Sequence, residues 1–181
     1  MQVFVVGATG VLGRALVPLL AARGHRVRGL ARSSATVAAW ATAGVELVAG
    51  DLLASEMPDR LPGLLAGCEV VVHAATAIPR EPAAPGAWDA TTRLRTEGAR
   101  RLLAGALAAG ARGYIQQSIV MAYPDGGDRW LDEATPLDTE PERAPVCAPV
   151  AAMEALVRGV NLARLRWCIL RGGFFVGPGT A

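Results

Sequence analysis

Short apolar runs alternate with amphipathic stretches along the whole chain. Gln2 to Val6, Arg26 to Leu30, Val45 to Val48, Glu69 to His73, Gly113 to Ser118 and Arg166 to Arg171 have the length and the Val, Ile and Leu content of buried strands. Between them apolar residues recur at helical spacing, as at Leu12, Leu16, Leu19 and Leu20. The longest helix is predicted from Pro85 or Trp88 to Ala109, and another from Ala148 to Val160. Regular strand–helix alternation is the mark of right-handed crossovers in a parallel sheet. The prediction is a doubly wound α/β fold, Rossmann-like, with strand order 3-2-1-4-5-6, formed by residues 1–181 as a single domain. Residues 124–149 break the pattern with five prolines, several acids and Gly126-Gly127, and read as a long surface loop over the ligand crevice. That crevice is expected beyond the carboxyl ends of the strands, where the first and fourth diverge.

The first strand runs straight into Gly7-Ala8-Thr9-Gly10-Val11-Leu12-Gly13, at the joint between a strand and a helix N-terminus. Such a joint binds phosphate: the first glycine allows a tight turn, the second lets backbone N–H groups approach a pyrophosphate, and the third lets helix and strand pack closely. About twenty residues on, where an acid would hold the adenosine ribose, the second strand ends in Ala31-Arg32-Ser33-Ser34. Arg32 offers a planar fork for a 2′-phosphate, with Ser33 and Ser34 as added donors; the alternative is a solvated arginine. Asp51, after the third strand, has two readings: acceptor for the adenine amino group, or cap of the next helix. Ala74 and Ala75, after the fourth strand, are small enough for a ligand to lie against backbone. His73 reads as a packed strand-end residue more readily than as a base.

Composition narrows the function classes. The formal charge is +2 and the basic residues are scattered, which argues against nucleic acid. No charged leader precedes a long apolar segment and no membrane segment is visible, so a cytoplasmic protein is expected. Cys68, Cys147 and Cys168 lack metal-ligand spacing and are expected in the core; no metal site is predicted. All 18 basic residues are arginine.

Together the glycine turn, Gly50-Asp51-Leu52, His73-Ala74-Ala75, Arg95-Thr96-Glu97-Gly98-Ala99-Arg100-Arg101-Leu102-Leu103 and Leu170-Arg171-Gly172-Gly173-Phe174-Phe175-Val176-Gly177-Pro178-Gly179 carry a resemblance. The chain resembles the extended short-chain dehydrogenase/reductases, the NAD-dependent epimerase/dehydratase family. The resemblance implies cofactor-binding roles for Gly7, Thr9, Gly10, Val11, Leu12, Arg32, Asp51, Leu52, Ala74 and Ala75, and for Arg95, where relatives usually have Asn. Arg32 points to NADP, with NAD as the alternative, and the resemblance implies a small carbonyl or sugar-like substrate.

The family's catalytic residues are missing. A tyrosine, a lysine four residues later and a serine or threonine at the end of the fifth strand form its proton-transfer apparatus. The matching region, Ala144-Pro145-Val146-Cys147-Ala148-Pro149-Val150, is apolar, and the catalytic serine position is Ile119. Catalytic residues therefore stay unassigned. Ser118 and Tyr123 are candidate substitutes near the nicotinamide, against a reading in which both serve the structure, and Asp132 and Glu133 read as solvated loop acids. The chain also stops where relatives continue into a substrate-binding region, which would expose Trp130, Phe174 and Phe175 and leave a homo-oligomer contact open. Two function classes follow: an NADP(H)-dependent oxidoreductase or epimerase, and a non-catalytic dinucleotide-binding module acting as redox sensor or partner-binding protein.

Overall fold

The computed structural model describes residues 1–33, 36, 44–81 and 83–177. Six strands form one sheet: β1 (Gln2–Val6), β2 (Arg26–Ala31), β3 (Val45–Ala49), β4 (Val70–His73), β5 (Gly113–Ile119) and β6 (Arg166–Gly172). Every pairing is parallel and the order is β3-β2-β1-β4-β5-β6. The strand boundaries lie within one residue of those predicted.

The helices are α1 (Val11–Ala22), α2 (Met57–Leu65), α3 (Asp89–Arg93), α4 (Ala99–Ala108) and α5 (Ala144–Arg158). They cover both faces because the central strands are apolar on both. On one face Val3, Val5, Val27 and Val72 pack with Val17, Leu12, Leu16 and Leu20 of α1. On the other, Phe4, Val6, Val71 and Tyr114 pack with Met57, Leu61, Leu65, Leu102 and Leu103 of α2 and α4. Leu19 faces solvent instead of the sheet.

Three predictions need correction. The long helix is broken: a π turn, Leu94–Gly98, joins α3 to α4. The buried positions Thr91, Arg95, Ala99, Leu102 and Leu103 run through the turn at ordinary helical spacing, so periodicity does not mark it. The predicted loop over 124–149 ends early, because a 3-10 turn (Pro141–Arg143) leads into α5 at Ala144, four residues before the expected start. Pro145 falls in the first turn of α5, where an N–H is not needed, and the bond that Pro149 forgoes is local to the N-terminal part of the helix. Cys68 and Cys147 are buried, but Cys168 is exposed because β6 is an edge strand. Ser34, Pro178, Gly179 and most of the segment joining β2 to β3 lie outside the described residues.

No helix among the described residues is long and apolar enough to cross a membrane. Trp130 and Phe174 are exposed, at 99% and 82%, and Phe175 is partly so.

Candidate active site

The turn after β1 closes as Gly10 N–H donates to Gly7 O at 3.0 Å, and Arg14 Nε braces it by donating to Thr9 O at 2.9 Å. Two glycines are required by contact. At Gly7, with φ of 91°, a Cβ would lie 2.6 Å from the backbone of Ala74 beyond β4. At Gly13 it would lie 2.1 Å from Gly7 O. The strand end, the turn and α1 are thus pressed together with no room for side chains. Helix α1 starts at Gly10 with no side-chain cap and no acid in its first turn. Its leading N–H groups and dipole are left for an outside anion. This donor set fits a pyrophosphate.

A cleft of about 800 Å³ opens at the carboxyl ends of the strands. Every residue assigned to the cofactor from sequence lines it: Gly7, Thr9, Gly10, Val11, Leu12, Arg32, Asp51, Leu52, Ala74, Ala75 and Arg95. Arg32 is exposed at the end of β2. Ser33 Oγ, offered above as a donor to phosphate, accepts from Thr36 N–H at 3.2 Å. Asp51 Oδ1 accepts from Leu53 N–H at 2.9 Å and so caps a local turn ahead of α2. The stretch after β4 is pinned by Thr91 of α3, whose Oγ1 donates to Ala77 O and accepts from Ala77 N–H.

Several lining residues were not assigned to the site from sequence. Trp88, Gln117, Met121, Val146 and Phe175 all border the cleft. Val146 is informative. It lies in the apolar region that the resemblance matches to the family's tyrosine and lysine, it borders the cleft, and Val150, four residues on, is fully buried. Ile119, in the serine's place, borders the same cleft. All three proton-transfer positions are therefore occupied by hydrocarbon.

Ser118 and Tyr123 do not take over, since neither borders the cleft. Ser118 Oγ, buried, donates to Glu154 Oε1 at 2.6 Å. Arg171 of β6 forks onto Glu154 of α5, Nε to Oε1 at 2.9 Å and Nη2 to Oε2 at 2.7 Å. The guanidinium also donates to Tyr123 Oη and lies over the Tyr123 ring, 4.7 Å from its centre. Tyr123 Oη in turn donates to Asp132 O at 2.7 Å. Burial opposes charge on Glu154, but Arg171 and Ser118 outweigh it and hold its pKa below the ordinary carboxylate value. The cluster locks β5, α5, β6 and the loop after β5 together.

His73 is buried as predicted. Gln116 Oε1 accepts from Tyr114 Oη and faces His73 Nδ1 at 3.0 Å, which makes Nδ1 the protonated nitrogen. Nε2 has no partner. Burial lowers the imidazole pKa to about 4, only partly opposed by Gln116, so the ring is neutral at physiological pH.

A six-stranded parallel sheet in this order, with a glycine turn opening on a cleft at the β1/β4 switch, defines a dinucleotide-binding fold of the short-chain dehydrogenase/reductase type. The sequence model of the NAD dependent epimerase/dehydratase family matches residues 3–181, and the chain belongs to that family. It is 42% identical over 187 residues to a 3-diazoavenalumate denitrifying reductase of a Streptomyces species, covering 99% of this chain and 58% of that protein. It is 37% identical over 122 residues to a ceramide reductase of Caulobacter vibrioides, covering 67% of this chain and 36% of that one. A short-chain dehydrogenase/reductase superfamily protein from Agrobacterium tumefaciens, solved with NAD, superposes with a TM-score of 0.73 at 28% identity, over 94% of this chain and 48% of its own. The two relatives are reductases, which does not favour the non-catalytic module. The chain spans little more than half of the first relative's length and about a third of the second's.

Proposed function

We propose that the cleft binds NADPH and serves a reductase whose acceptor takes up hydride without receiving a proton from the protein. The observation that carries this reading is the hydrocarbon at Ile119, Val146 and Val150. A small carbonyl or sugar-like substrate would need a proton on oxygen as hydride arrives. Loss of the acid costs about 10²- to 10⁴-fold in such a reaction. The Streptomyces relative is named for a diazo compound and for loss of nitrogen. The dinucleotide, when bound, supplies hydride; an arenediazonium ion combines with hydride to give arene and dinitrogen, so charge and atoms balance with no proton added.

The chain's own residues have three tasks in this reading. Gly7, Gly10 and the leading N–H groups of α1, with Thr9, Val11 and Leu12 as the walls, cradle the pyrophosphate. Arg32 holds the 2′-phosphate, while Asp51, Leu52, Ala74 and Ala75 enclose the adenosine half. The apolar wall of Ile119, Val146 and Phe175 keeps water from the reacting atoms. A cytoplasmic setting, where NADPH is kept reduced, suits this chemistry.

The test compares acceptors. Purified protein with NADPH should convert 4-carboxybenzenediazonium to benzoate above the protein-free rate, with one dinucleotide oxidised per nitrogen released. Aryl ketones should be reduced at least about a hundredfold more slowly. Ketone reduction at an equal rate would show that a proton donor exists and would overturn the reading.

A further inference from the structure

One buried cation in the cleft has no counterpart among the described residues. Arg95 is 6% exposed, borders the cleft, and makes no hydrogen bond or ion pair with any described residue. The nearest acid in sequence, Glu97, is already engaged from both sides by Arg93 and Arg101 along the outer face of the helix. Burial lowers the pKa of Arg95, and the ionisable group that acts on it is the thiol of Cys147, next to Val146 on α5. The unpaired guanidinium nitrogens of Arg95 are not sealed from solvent and open onto the cleft, where a ligand can supply an anion.

Its position follows from the π turn. The widened turn at Leu94–Gly98 packs against α5, and Arg95 sits in it and lines the same cleft as Val146 of α5. π turns of this kind are frequent at functional sites. The reading above, on which this inference rests, meets the anionic groups of the dinucleotide elsewhere, at the glycine turn and Arg32. The same cleft is lined by Trp88, Ile119, Val146 and Phe175, flat or branched hydrocarbon suited to an aromatic ring.

We infer that Arg95 is the receptor for a carboxylate on an aromatic substrate, the guanidinium fork pairing with the carboxylate while the ring lies against the apolar wall. Arg95 then sets specificity: it selects an arene carboxylate over the corresponding neutral arene. The pairing neutralises the substrate's carboxylate and leaves the hydride acceptor at the other end of the ring.

Binding tests this without any turnover. Calorimetric titration of NADP-saturated protein with cinnamate and with cinnamamide should show at least a tenfold preference for the carboxylate. Arg95→Gln should erase that preference, with a loss of cinnamate affinity larger than any change in NADPH affinity read from nicotinamide fluorescence, which separates this role from the cofactor role that the sequence suggested. Arg95→Lys should recover part of it, as a point charge without the fork does. Three results would overturn the inference: a preference below threefold in the parent protein, an equal loss for acid and amide in Arg95→Gln, or a tenfold loss of NADPH affinity with cinnamate binding unmoved. The parent measurement stands even where the variants do not fold. Carboxylate-selective binding without diazonium turnover would leave this inference intact and count against the proposed reaction; turnover of the acid and its methyl ester alike would do the reverse.

Discussion

Replacing Glu154 by alanine should destabilise the protein by about 3–5 kcal/mol, the usual result of removing one member of a buried ion pair. The side chains of Glu154 and Arg171 are only 4% and 11% exposed, so solvent screens little of the interaction. Without the carboxylate, Arg171 keeps its charge in a site that no longer compensates it, and the buried Ser118 hydroxyl loses its acceptor. For a chain of this length the loss corresponds to a fall of roughly 6–20 °C in Tm. Glu154→Gln keeps an acceptor for Ser118 and should lose less. The depressed pKa of Glu154 adds a sign: this stabilisation is present above the ordinary carboxylate pKa and is lost as pH falls through the lower folded value. Denaturant midpoints at neutral pH check the main effect; a change under 1 kcal/mol in Glu154→Ala would show that the cluster is decorative.

Acidification should produce the second large effect. Folding holds the His73 imidazole neutral by lowering its pKa from 6.5 to about 4. The unfolded chain binds the proton throughout that window and the folded one does not, so stability rises with pH there, is complete above about 6.5 and falls as pH drops toward 4. Between pH 7.5 and pH 5 the loss should be about 2 kcal/mol, since each unit of full differential protonation is worth about 1.4 kcal/mol. His73→Asn keeps a donor toward Gln116 and removes the titrating ring. Its absolute stability will be lower because it leaves a gap, but its stability should be flat across this range. Urea midpoints at the two pH values for both proteins decide the point. A parent protein as stable at pH 5 as at pH 7.5 would place the imidazole in a far wetter site than the one between β4 and β5.

Both effects rest on contacts that pattern reading does not reach. The strands were legible because a buried parallel strand is a short run of Val, Ile and Leu, and six such runs at regular intervals leave little choice of topology. The glycine turn was legible because its spacing reflects real contacts, Gly7 against Ala74 and Gly13 against Gly7. The Glu154–Arg171 fork was not, since it joins a helix to an edge strand through tertiary packing alone, and no local period marks either residue. The start of α5 was obscured by Pro145, which is tolerated in the first turn, and by Pro149, which reads as a breaker yet sits inside the helix. The cleft shows the same division. Its phosphate end is written in glycines and in Arg32, whose chemistry is read directly. Its other end is written in absences, hydrocarbon where proton carriers are expected, and in Arg95, whose burial within a π turn only the folded chain displays.

The central claim is that the glycine-turn cleft is an NADPH site, and fluorescence titration of the protein with NADPH and NADH tests it most directly. Arg32 borders the cleft where the 2′-phosphate would lie, and a charge-assisted contact there is worth roughly 1.5–3 kcal/mol, about ten- to a hundredfold in affinity. The account predicts NADPH binding tighter than NADH by that factor, with Arg32→Ala losing the preference and leaving NADH affinity unchanged. Failure to bind either dinucleotide, or a preference for NADPH that survives Arg32→Ala, would contradict it.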